Sequence, residues 1–153
     1  MLNAIDMHTH IATGEKVKLP GHAHDRGKPG QHPDEMAAMY QRLHMMAVIF
    51  DVDHETRTGV KISNADTAGW VKKYPDTFIG FGSVDPWKGT VAVDEVKRCA
   101  EMGLRGMKFQ QATQAFCPTN SRFFPIYEAC NSLKLPVIFH GGTTAISAGT
   151  PGG

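Results

Sequence analysis

Short, unbroken apolar runs recur along this chain with helical patterns between them, and that alternation limits the fold more than any single motif. Met45-Met46-Ala47-Val48-Ile49-Phe50 is the clearest run. It lacks the alternating polarity of a half-exposed strand, so it suits a strand buried on both faces, as in parallel sheets. Residues 5–10, 78–84, 104–109 and 135–140 give four more candidate strands. Between them the period changes. Met36, Met39, Tyr40 and Leu43 recur at i, i+3, i+4 and i+7 behind Pro33, Asp34 and Glu35, the stripe and entrance of an amphipathic helix. Ser63 or Asn64 caps a second helix through Ala68 and Val71 to Tyr74, stopped before Pro75. Thr90 caps a third, with Ala92, Val96, Cys99 and Ala100 inward and Gly103 ending it in the left-handed conformation. Pro125 starts a fourth, with Ile126, Ala129, Cys130 and Leu133 on its inner face.

The order βαβαβαβαβ requires parallel pairing through right-handed crossovers. Two architectures accept it: an open doubly wound sheet, or part of a (β/α)8 barrel. No P-loop or Gly-x-Gly-x-x-Gly follows the first strand, which weakens a nucleotide-binding sheet. That place is taken by Asp6-Met7-His8-Thr9-His10. Residues two apart on a strand share a face, so Asp6, His8 and His10 are expected on one side. Two neutral imidazoles so placed can ligate one divalent ion.

A third ligand is found by asking where polar residues fall. They close the strands: Asp51, Asp53 and His54 after the second, Asp85 after the third, Lys108 and Gln110 on the fourth, His140 on the fifth. That end of the strands builds active sites in barrels and the ligand crevice in open sheets. His140 is therefore the third ligand expected beside His8 and His10. A long loop rich in glycine and proline, residues 12–33, carries a second pair, His22 and His24, followed by Asp25. A loop holds ligand geometry poorly, so a solvated or substrate-covering role suits it better.

These motifs carry a resemblance. Asp6-Met7-His8-Thr9-His10, Gly106-Met107-Lys108-Phe109 and Leu135-Pro136-Val137-Ile138-Phe139-His140-Gly141-Gly142 resemble the amidohydrolase superfamily, in its aminocarboxymuconate-semialdehyde decarboxylase-like branch. The resemblance implies an α/β fold, a (β/α)8 TIM barrel of the metal-dependent hydrolase type. Residues 1–153 would supply about its first five strands and four helices. It implies one divalent metal ion, zinc or manganese, held by His8, His10 and His140. The family's strand-six histidine and strand-eight aspartate fall beyond Gly153, so the acid/base residue is unassigned. Lys108 shares a strand face with Gly106 and Gln110 and is a candidate for binding a substrate carboxylate. The other reading of Lys108 is a packed stem with its head in solvent. In other branches a carboxylated lysine on this strand bridges two metals.

The implied activity is hydrolysis, or nonoxidative decarboxylation of a small aromatic or muconate-like acid, through a metal-activated water or a metal-polarised oxygen. A barrel typically runs to about 250 residues, so the 153 present are expected to be an N-terminal part with negligible activity alone. The full-length enzyme is expected to be a homo-oligomer. Two competing readings exist: a TatD-like or polymerase-and-histidinol-phosphatase type of phosphoesterase or nuclease barrel, and a noncatalytic half-barrel module for metal or partner binding. The first would need further acidic ligands at the middle strands. A net charge of +1 offers no bulk attraction for nucleic acid or an anionic membrane. No apolar run approaches the roughly 20 residues of a membrane span. Three cysteines without a C-x-x-C pair and no signal-peptide pattern predict a reducing, cytoplasmic setting.

Overall fold

The computed structural model describes residues 2–11, 32–59 and 61–141. The strands are β1 (Ala4–His10), β2 (Met45–Phe50), β3 (Phe78–Gly80), β4 (Met107–Phe109) and β5 (Val137–Phe139). The helices are α1 (Pro33–Arg42), α2 (Glu55–Thr58), α3 (Asn64–Lys73), α4 (Thr90–Glu101), α5 (Gln111–Gln114) and α6 (Phe124–Ser132). Every strand pair is parallel, in the orders β1-β2-β3 and β4-β5. A parallel bridge from Gly82 to Met107 joins the two groups, with the Lys108 amide donating to the Gly82 carbonyl at 2.7 Å. Spatial order thus follows chain order. A doubly wound sheet reverses its order at the switch point where ligands bind. No reversal occurs among the described strands, and the arrangement is that of successive strands in a TIM-barrel-like fold.

β2 is buried on both faces, as its unbroken apolar run requires. Ala47 and Ile49 pack with Phe78 against Met36, Ala37 and Tyr40 of α1. Val48 and Phe50 meet Phe81 on the opposite face, with Ile79 and Ile138 alongside. The largest core lies between β4 and helices α4 and α6, where Met107 and Phe109 pack with Val96, Cys99, Ile126 and Cys130. All three cysteines are free. No helix among the described residues is long and apolar enough to cross a membrane.

Several sequence expectations are corrected. Strands three to five are shorter than their apolar runs, because residues beyond each core pair through single bonds such as Arg105 N–H to the Gly80 carbonyl, 2.7 Å. Thr90 is the first residue of α4 and not its cap; Gly89 holds that place at φ 57°, a left-handed backbone that leaves the 3-10 turn at Pro86–Lys88. On α1 the buried face includes Met36, Ala37 and Tyr40, while Met39 and Leu43 stay exposed. Two short helices, α2 and α5, follow β2 and β4, where the sequence pattern marked no helix. Ser63 caps α3 as expected, accepting from the Asp66 amide.

Gly106 shows how tightly the inner layer is packed. A Cβ there would stand 2.4 Å from the Phe81 ring. Gly106→Ala is therefore expected to destabilise the protein by about 1–3 kcal/mol, the usual cost of overpacking. A denaturant midpoint unchanged from wild type would contradict this.

Candidate metal centre

β1 does not keep a simple alternation. Asp6 pairs with Ala47, but Thr9 pairs with Ile49, so β1 spends three residues where β2 spends two. This is a β-bulge, a device found beside active sites because it re-aims side chains. Its effect is to separate Asp6 from the histidines, contrary to the expected shared face. Asp6 turns toward α1, where its carboxylate accepts from Tyr40 Oη at 2.7 Å, and Thr9 Oγ1 lies 3.3 Å from the same hydroxyl. The other carboxylate oxygen accepts the His8 amide at 3.0 Å, a donor inside the irregular stretch. That amide and the Tyr40 hydroxyl hold the Asp6 carboxyl below its usual range. Asp6 thus braces the bulge that presents His8 and His10.

On the opposite face the two imidazoles bring Nε2 to Nε2 within 3.3 Å. His140, at the end of β5, reaches the same mouth, its ring centroid 6.0 Å from that of His8. Beneath lies Phe50, fully buried, with ring centroids 5.4 Å from His8 and 4.9 Å from His10. Lys108 Nζ stands 4.9 Å over the same ring. Sequence reading missed Phe50, although its pairing with His10 in the β1–β2 register places it in the same layer.

Lys108 is 0% exposed, and its Nζ has no hydrogen-bond partner among the described residues. Its head does not reach solvent. Burial lowers its pKa. Burial also lowers the pKa of His8 and His140, with the Lys108 charge adding to both. Both shifts favour the neutral imidazole, the form that ligates a metal. His140 Nε2 is buried without a hydrogen-bond partner among the described residues. These histidines share one mouth, yet among the described residues no group of three His, Cys, Asp or Glu side chains already converges as a finished metal cage.

The middle strand ends behave differently. Asp85 is 1% exposed; one carboxylate oxygen accepts the Thr56 amide and the other the Trp87 amide. Asp53 accepts from the amides of Glu55 and Asp85. Burial pushes its carboxyl above the usual range. His54 caps α2 and lies 3.0 Å from Thr58 Oγ1, while Asp51 accepts the amide of Val52. These residues fasten βα loops. The pair His22 and His24 lies outside the described residues.

A parallel α/β sheet with histidines gathered at its strand ends is the frame of the metal-dependent hydrolases and decarboxylases. The amidohydrolase family model matches residues 5–152, and the chain belongs to that family. A 5-carboxyvanillate decarboxylase from Novosphingobium aromaticivorans, solved with manganese and 4-hydroxy-3-methoxy-5-nitrobenzoic acid, is 26% identical with a TM-score of 0.61, over 78% of this chain and 36% of its own. The 5-carboxyvanillate decarboxylase of Sphingomonas paucimobilis shares the fold at 19% identity and a TM-score of 0.66, over 94% of this chain and 53% of its own. The chain thus spans between about a third and a half of the length of these structures.

Proposed function

We propose that the full-length protein is a metal-dependent decarboxylase or hydrolase acting on a small carboxylated aromatic or muconate-like substrate. In this reading His8, His10 and His140 hold one divalent ion, zinc or manganese, within a (β/α)8 barrel begun by residues 1–153. The observation that carries it is that the His8 ring meets those of His10 and His140, while the buried Lys108, whose Nζ has no hydrogen-bond partner among the described residues, lies over the Phe50 ring that His8 and His10 also meet. The spacing of the His8–His10 pair fits such an ion. Two nitrogens each bonded to one tetrahedral zinc at about 2.0–2.1 Å would stand about 3.3–3.4 Å apart, and the His8–His10 nitrogens are 3.3 Å apart. Without a metal the same spacing serves an N–H···N hydrogen bond. The bound ion supplies Lewis acidity, acidifying a water or polarising a substrate oxygen.

Lys108 gives the substrate class. An unpaired ammonium in a desolvated layer is unfavourable until an anion enters beside it. A substrate carboxylate supplies that anion, and the likeness to a carboxyvanillate decarboxylase favours the decarboxylating arm. Phe50 offers its ring as a floor beneath the same space.

Lys108→Met is expected to leave the substrate-free protein at least as stable as wild type, because it removes a buried charge without a partner. It should raise KM about 10- to 150-fold, since a hydrogen bond to a charged group contributes roughly 1.5–3 kcal/mol. An unchanged KM for every acid turned over would remove Lys108 from the site. The activity itself is tested by reconstituting the metal-free, full-length protein with manganese or zinc and measuring CO2 release from 5-carboxyvanillate and other carboxylated phenols. Metal-dependent CO2 release from at least one acid supports the reading. Absence of metal-dependent consumption of any such acid, by decarboxylation or hydrolysis, overturns it.

A further inference from the structure

We propose that Gln111, the first residue of α5, is a positioning residue for His140, a role that rests on the ligand reading above. His140 is held by its backbone from two directions. Its N–H donates to the Phe109 carbonyl of β4 at 2.9 Å, and its carbonyl accepts a hydrogen bond from Gln111 Nε2. Only the nitrogen of an amide can face a carbonyl oxygen, so the chemistry fixes which way the Gln111 side chain is turned. The residue after His140 is Gly141, where an added Cβ would meet nothing within 4 Å among the described residues.

α5 is itself clamped. Gln114, 1% exposed, donates from Nε2 to the carbonyls of Asp53, 2.6 Å, and Val84, 2.9 Å, while its Oε1 accepts the Gln110 amide. Arg57 of α2 donates to the Ala112 carbonyl at 2.7 Å. The short helix therefore ties the loops after β2 and β3 to the end of β5, and Gln111 is its contact with the third histidine. Among the described residues Gln111 Oε1 and His140 Nε2, on the two residues joined by this contact, are buried without a hydrogen-bond partner, as is Lys108 Nζ on β4. Groups that orient a metal ligand from behind typically control affinity 10- to 100-fold.

The test uses the metal-free, full-length protein and zinc in competition with a chelator, alongside the thermal midpoint of the metal-free form. Gln111→Glu keeps the shape but replaces the donor with an oxygen that repels the carbonyl; Gln111→Ala removes the contact. Both are expected to weaken zinc binding about 10- to 100-fold with little change in the metal-free midpoint. Zinc affinity unchanged in both variants overturns the role, provided His140→Ala has lost zinc. A fall in the metal-free midpoint large enough to account for the whole loss of affinity overturns it as well. Zinc retained by His140→Ala would instead overturn the ligand reading itself.

Discussion

His140→Ala is expected to strip the full-length protein of its metal and abolish turnover, while leaving the fold intact. His140 lies at the end of β5 and is only half-buried. Truncating it removes little core packing. What it removes is one of three imidazoles whose rings meet at a single mouth. The loss should exceed the roughly 100-fold upper figure for groups that merely orient a ligand. His8→Ala should behave in the same way, since its ring lies beside both other histidines. His54→Ala provides the contrast. The His54 ring lies 3.0 Å from Thr58 Oγ1 in the β2 loop, so its loss should cost some loop stability and no metal. Metal content measured by elemental analysis separates the cases. Full occupancy in His140→Ala would sink the assignment, and metal loss in His54→Ala would show that the site extends into the β2 loop.

Phe50→Ala is expected to cost about 3–5 kcal/mol, the usual range for deleting a buried aromatic ring. Against a typical total of 5–15 kcal/mol, that leaves a marginal protein. The side chain is fully buried and joins Val48 and Phe81 in the inner layer. It also underlies His8, His10 and the Lys108 ammonium. The variant should therefore loosen the site even under conditions where it remains folded. Phe50→Leu retains most of the volume and should cost less than about 1.5 kcal/mol. Chemical denaturation at constant m-value provides the check. A loss below about 1 kcal/mol for Phe50→Ala would mean that the inner layer collapses readily around the gap.

Much of the fold was legible because apolar runs and helical stripes report burial directly. Met45–Phe50 announced a strand covered on both sides, and Ser63 announced its helix through a cap that forms. His8, His10, His140 and Lys108 were legible as strand-end residues; His8, His10 and the Lys108 ammonium lie against the Phe50 ring, and the His140 ring meets that of His8. The β1 bulge was not legible. A strict period of two put Asp6 beside His8, whereas one extra residue between Asp6 and Thr9 turns it to Tyr40 of α1. A bulge depends on the partner strand's register, which one strand's pattern does not contain. Asp53 and Asp85 were misleading for a related reason. Acidic residues at strand ends look alike in sequence whether they face a ligand or cap a turn, and here backbone amides occupy their oxygens. A phosphoesterase or nuclease reading would need such carboxylates as ligands, whereas Asp53 and Asp85 are engaged in holding loop turns. Gln111 carried no signal of its own, because its role is a contact with a residue 29 positions away.

The central claim is that one divalent ion sits among His8, His10 and His140. Anomalous diffraction at the metal edge, from crystals of the full-length protein grown with manganese or zinc, tests it most directly. A single strong peak is expected within bonding distance of the Nε2 atoms of His8 and His10 and of the His140 ring. A peak coordinated by other residues, with these three imidazoles left apart, would contradict it.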